Sequence, residues 1–257
     1  MKQYTVDAFT DKVFAGNPAA VCVMDEWIAD GLMQKIAIEN NLSETAFAVR
    51  EGENYRLRWF TPGGEVELCG HATLATAYVI MSFTEPGRKR VCFETLSGLL
   101  RVERNGELLT MDFPSFELEA MPVTVKLIAA LGVVPLEAYM GADIVCVLED
   151  EAQVRTVCPD QELIRKMDGV CLHVTAKGDK YDCVTRTFAP KCGVAEDPVC
   201  GRAHCHVVPL WSKRLGKNEL VAYQASARGG ELYCRDKGDR TEISGKAALF
   251  AQSEIYF

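Results

Sequence analysis

Residues 65–75 read EVELCGHATLA, and residues 195–205 read AEDPVCGRAHC. Each stretch places Cys-Gly-x-Ala ahead of residues able to begin a helix: Cys69-Gly70-His71-Ala72, then Cys200-Gly201-Arg202-Ala203. A motif given twice asks whether its surroundings are given twice. Upstream, AAVCVMDE is echoed by DIVCVLED, which sets Cys22 against Cys146. LMQKIA is echoed by ELIRKM, both with helical spacing, and ETAFAV by DGVCLHV. YRLRWFTP is echoed by CVTRTFAP, Phe60-x-Pro62 against Phe188-x-Pro190. Order, element type and motif agree, with only small insertions between the copies, so the chain reads as two copies of one strand-rich domain. The boundaries fall near 1–115 and 116–245, and the last strand, 246–257, is a candidate to complete the first domain.

The elements follow from local pattern. QYTVDAF, AAVCVM, TAFAVRE and YRLRWF are rich in strand-forming residues. RVCFETLSGLLRVERNGELLTMDF reads as successive strands, with Asn105-Gly106 as a hairpin turn. IADGLMQKIAIENN has helical spacing at Leu32 and Ile36 and ends at an Asn pair. GHATLATAYVIMS is apolar nearly all round and predicts a helix buried on most sides.

The 257 residues suit one large domain or two ordinary ones. A net charge of −8 argues against nucleic acid or an anionic membrane as partner, and still allows a small acidic substrate at a locally positive site. No apolar run reaches membrane-spanning length, and the first residues lack the apolar core of a signal peptide, so a cytoplasmic protein is expected. Eleven cysteines is an odd number in a long chain without an export signal, which argues against a disulfide framework. Cys22, Cys92, Cys146, Cys171, Cys183 and Cys234 fall in strand-like apolar runs and read as small buried hydrophobes.

The duplication has a chemical consequence. The first N–H groups of a helix lack intrahelical partners and carry partial positive charge. Two such helix starts facing one cleft would bind carboxylates, and groups beside them could act on either face of a carbon, as racemases and epimerases require. Glu44 lies among the apolar Leu42, Ala46 and Phe47, surroundings that raise a carboxylate's pKa and suit it to carrying protons; it reads equally as a solvated or locally capping residue with Ser43. His71 can donate to a substrate, relay a proton or simply bond backbone at a helix start. Asp197, before Pro198, can act as a second acid/base, orient His71, or form a turn. Cys69 and Cys200, at helix starts that lower thiol pKa, can be a pair of bases or tight-packing residues. Cys200, His204, Cys205 and His206 offer metal ligands but lack a C-x-x-C pair, so no metal is expected. No phosphate loop, dinucleotide fingerprint or nucleophile elbow is present, and no organic cofactor is expected.

VDAFTDKVFAGNPAAV, LSETAF, VELCGHATLA, EDPVCGRAH and QASARGGEL, in that order and spacing, resemble the phenazine-biosynthesis PhzF-like family. The resemblance implies an α+β fold like that of diaminopimelate epimerase: two pseudo-symmetric domains, each a strand-rich barrel around a central helix. It implies a cofactor-independent isomerase, a homodimer, acting on a small carboxylate-bearing metabolite. It assigns Glu44 as the proton-transfer base, with His71 and Asp197 beside the substrate; the two helix starts make Gly70, Ala72, Gly201 and Arg202 candidates to bind it, together with Asn17. The chain departs from the family pattern at two positions, Cys200 for Thr and Arg202 for Ser. Cys200 restores the second thiol of the two-cysteine epimerases, so a racemase using Cys69 and Cys200 stands as the alternative, and a non-catalytic scaffold as another.

Overall fold

The computed structural model describes all 257 residues. The chain divides into two compact units, Met1–Asp112 with Ser244–Phe257, and Phe113–Ile243. In the first unit come β1 (Lys2–Ala8), β2 (Asn17–Met24), α1 (Asp30–Asn40), β3 (Glu44–Glu51), β4 (Asn54–Thr61) and β5 (Gly64–Val66). Then follow α2 (Gly70–Val79), β6 (Arg90–Thr95), β7 (Gly98–Asn105) and β8 (Leu108–Pro114), the last of which runs just past the division. The second unit opens with β9 (Glu119–Met121), α3 (Val125–Leu131), β10 (Glu137–Met140), β11 (Ile144–Val147), α4 (Glu151–Thr156) and α5 (Gln161–Arg165). It continues with β12 (Leu172–Lys177), β13 (Cys183–Ala189), β14 (Val194–Asp197), α6 (Gly201–Leu215), β15 (Glu219–Gln224), β16 (Gly230–Asp236) and β17 (Arg240–Gly245). β18 (Ala247–Glu254) returns to the first unit and pairs with β1.

The pairing pattern repeats with an interval of nine strands. β1 and β2 pair antiparallel, β2 and β3 parallel, β3 and β4 antiparallel, β4 and β6 parallel. In the second unit β10–β11, β11–β12, β12–β13 and β13–β15 follow the same sequence of directions. Each parallel step needs a crossover: α1 makes the first and α4 with α5 the matching one, while α2 and α6 make the second. Even the ninth strand matches, since β18 pairs with β1 and β9 with β10.

Sequence chemistry places the helices. α1 ends at Asn41, left-handed at φ 49°, the conformation asparagine tolerates at a helix end. α2 is buried along almost its whole length, and its small side chains Ala72, Ala75 and Ala77 let β1, β2 and β3 approach closely. Thr73 and Thr76 are also buried, and their hydroxyls donate to Cys69 O (2.5 Å) and Ala72 O (2.7 Å), so no polar group is stranded. The helix continues beyond Val79 as a π-helical turn, Ile80–Thr84. α6 carries Pro209 in its interior. Proline has no N–H for the carbonyl four residues back, and that carbonyl, Cys205 O, instead accepts from Phe116 N at 3.0 Å.

No disulfide joins the eleven cysteines. Cys22, Cys146, Cys183 and Cys234 are buried within strands, while Cys92 is half-buried and Cys171 lies one residue before β12 rather than inside it. No helix is long and apolar enough to cross a membrane.

Candidate active site

The start of α2 and the start of β3 bring three candidate residues together in the first unit. Cys69 is the extended residue before α2, and no side-chain hydrogen bond caps the helix. His71, on the first turn, is buried, and its Nε2 lies 3.1 Å from Glu44 Oε2 at the first residue of β3. Its other nitrogen, Nδ1, lies 3.1 Å from the amide of buried Asn17, at the start of β2, and 3.5 Å from Cys69 Sγ. The parallel β2–β3 register, with Ala19 opposite Glu44, is what carries Asn17 and Glu44 to one end of the sheet. Although close, Glu44 Oε2 and His71 Nε2 meet off the line of a hydrogen bond, and neither atom has an in-line partner in the protein.

Burial works against charge on His71, but the Cys69 and Glu44 side chains outweigh it and hold the imidazole well above its ordinary pKa. Burial pushes the Cys69 thiol up, with the Glu44 carboxylate adding to the effect. Cys200 is raised still further, by burial first and Asp197 second. The expected lowering of both thiols by helix N-termini is therefore corrected: desolvation of the thiolate exceeds what the helix ends supply.

In the second unit Cys200 precedes α6 as Cys69 precedes α2, again with no side-chain cap. Asp197 Oδ1 accepts from Val199 N at 3.2 Å in a tight turn. Buried Gln224 ties this turn down, accepting from Cys200 N (3.2 Å) and donating to Asp197 O (3.0 Å). Ser226 Oγ donates to Pro198 O at 2.7 Å, and at the matching place Ser97 Oγ donates to Glu67 O at 2.8 Å. His204 Nδ1 meets Cys200 O at 2.7 Å, as the Thr73 hydroxyl meets Cys69 O. The duplication thus extends to single hydrogen bonds.

The two copies diverge where chemistry differs. Arg202 takes the position of His71, and its Nε donates to Asp143 Oδ2 at 2.5 Å. Asp143 is fully buried and its other oxygen accepts from Val170 N (2.8 Å) and Cys171 N (3.0 Å). Burial opposes its charge, yet bonds from His173 and Arg202 hold its carboxyl far below the usual carboxylate range. Counting back from the paired registers, Cys171 occupies the place of Glu44. Asp143 opens the quoted stretch DIVCVLED, just before β11, but carried no assigned role there. Gln224 and Ser226 sat in a quoted stretch, QASARGGEL, but with no role assigned.

Two groups of three side chains could hold a metal. Glu44, Cys69 and His71 present ligand atoms within 4.8 Å of one another, and so do Asp143, His173 and His206. The set noted in the sequence does not converge. His204 Nδ1 bonds Cys200 O, Cys205 Sγ bonds Gly201 O at 3.5 Å and His206 Nδ1 bonds Arg202 O at 2.9 Å.

Two units of matching topology, each with an uncapped helix start framed by Cys-Gly-x-Ala, define the α+β fold shared with the proline racemases and diaminopimelate-type epimerases. A probable proline racemase from Agrobacterium radiobacter K84 matches at TM-score 0.67 over 99% of this chain and 92% of that one, with 10% identity, a likeness of fold alone. The chain belongs to the phenazine biosynthesis-like (PhzC-PhzF) family, whose model matches residues 6–253. It is 50% identical to an uncharacterized isomerase of Pseudomonas aeruginosa over 98% of this chain and 97% of the relative. A crystal structure of a PhzF-family protein from Enterococcus faecalis matches at TM-score 0.98 and 49% identity, covering 100% of this chain and 99% of the other.

Proposed function

We propose that the protein is a cofactor-independent isomerase that moves a proton within a small carboxylate-bearing metabolite, with Glu44 as the base. The isomerase name of the Pseudomonas relative supports the reaction class. The observation that carries the choice of base is the divergence of the two copies. The first unit pairs a carboxylate with an imidazole, both able to exchange protons, and leaves their facing atoms without in-line partners. The second unit pairs a carboxylate with a guanidinium, which does not give up its proton. Proton transfer therefore belongs to Glu44 and His71, and fixed charge to Arg202.

In this reading Glu44 takes a proton from a substrate carbon and returns it to another carbon of the same molecule, so no atoms are gained or lost. His71, with Nδ1 beside Asn17 and Nε2 beside Glu44, is placed to relay the proton and to supply one to the developing anion. The helix start at Gly70–Ala72 offers N–H groups to the substrate carboxylate. The racemase reading through Cys69 and Cys200 requires one of the two as a thiolate, and burial disfavours that form at both positions.

The test measures deuterium uptake from heavy water into a pool of small carboxylates. Glu44→Gln should lower exchange by about 10²–10⁴-fold, the usual worth of a general base, while Cys200→Thr keeps most of it. Full exchange in Glu44→Gln, or comparable loss in Cys200→Thr, would transfer the chemistry to the thiols.

A further inference from the structure

We infer that Asp143, His173 and His206 form a binding site for a divalent transition metal of the zinc class, inside the second unit and independent of the isomerase reading. All three side chains are fully buried. His206 is fixed on three sides. Its Nδ1 faces the carbonyl of Arg202 at 2.9 Å, so that nitrogen must carry the hydrogen, and Nε2 is left with its lone pair. Its ring stacks on Phe116 at 4.3 Å, and Phe116 is itself held by the carbonyl that Pro209 freed. A Cβ on Gly141 would come within 3.0 Å of the ring, so glycine there lets the backbone close against it.

The lone pair so presented has no hydrogen-bond partner in the protein. Asp143, His173 and His206 each present a ligand atom within 4.8 Å of the other two. A donated Nδ1–H that orients the ring and frees Nε2 is the arrangement metal-binding histidines adopt. The His173 ring is held from its other side, its Nδ1 lying 3.1 Å from Thr187 Oγ1. His173 Nε2 and Asp143 Oδ2 are 3.4 Å apart, close to the roughly 3.3–3.5 Å that separates two ligands on a tetrahedral zinc. Two imidazoles and one carboxylate suit zinc, cobalt or iron(II) rather than calcium or magnesium. His206 also lines a cleft of about 810 Å³, with Phe116 and Pro209, which offers a path to the site.

Arg202 is the competitor. Its Nε occupies Asp143 Oδ2, the oxygen a metal would take, but its side chain is 39% exposed and can swing away. Metal and Arg202 would therefore compete for Asp143 Oδ2.

The experiment titrates chelator-treated full-length protein with Co²⁺, a spectroscopic stand-in for zinc, followed by displacement with Zn²⁺. The expected result is one Co²⁺ per chain, with visible ligand-field bands and no thiolate charge-transfer band in the near-ultraviolet. Arg202→Ala, which removes a neighbouring cation, should bind Co²⁺ about tenfold tighter or more. His206→Phe, which keeps the stack on Phe116, should bind at least about a hundredfold more weakly. If His206→Phe does not fold, the charge-transfer region and the Arg202→Ala affinity decide. Three results would overturn the inference: no Co²⁺ binding by the wild type, binding by Arg202→Ala alone, or a thiolate band that disappears in Cys69→Ser. The last would place the metal on Glu44, Cys69 and His71 instead.

Discussion

Acid should unfold this protein partly through His204, and the size of the effect follows from its surroundings. The ring is fully buried one turn into α6, with Nδ1 on Cys200 O and Nε2 without a partner. Burial pushes its pKa from 6.5 down to about 4, outweighing the bond to Cys200 O, which works the other way. The unfolded chain therefore binds a proton between those values that the folded chain does not. The sign is that of a depressed pKa: the stability is complete above about pH 6.5 and drains away as pH falls toward 4. Linkage across that gap gives a loss of about 2 kcal/mol at pH 5 relative to pH 7, from this one group. The assay is urea unfolding at pH 7, 6 and 5 for the wild type and His204→Asn, whose amide can still donate to Cys200 O but does not titrate. The variant should be less stable at pH 7 yet lose about 2 kcal/mol less on going to pH 5. Parallel pH profiles in the two proteins would refute the reasoning, since His204 would then be protonated alike in both states.

Gly245→Ala should destabilise by about 1–3 kcal/mol in thermal or urea unfolding, because the new Cβ would fall 2.4 Å from Cδ1 of Phe9, itself fully buried with φ 63°. Gly31→Ala, in α1 with nothing within 4 Å of the new carbon, should instead stabilise by about 0.4–1 kcal/mol in the same assay. Ser226→Ala removes the bond that pins Pro198 and should speed alkylation of Cys200 at a cost of about 1 kcal/mol, read by mass spectrometry. In the intact protein, exposed Cys158 should react with iodoacetamide well before buried Cys69 and Cys200, and modifying it should leave deuterium exchange unchanged.

The sequence alone determined the repeated architecture, because strand and helix patterns are local and a duplicated order is visible without any contact. Cys-Gly-x-Ala marked both helix starts for the same reason: a glycine at the first position and small residues behind it leave few other readings. Glu44, His71 and Asn17 were each identifiable by motif, yet their convergence was not. That depended on the parallel β2–β3 register and on α2 lying across the end of those strands. Local pattern left the thiols open between bases and packing residues, since a helix end is legible in sequence but burial is not. Pro209 reads as a helix breaker, and only the tertiary partner of Cys205 O shows why the helix runs on. Asp143 sat at the edge of a repeated strand pattern that gave it no role. Its role as the buried partner of Arg202 and His173 arises from a turn brought against α6 and β12 by chain folding, and electrostatics of that kind depends on distances that sequence spacing does not contain.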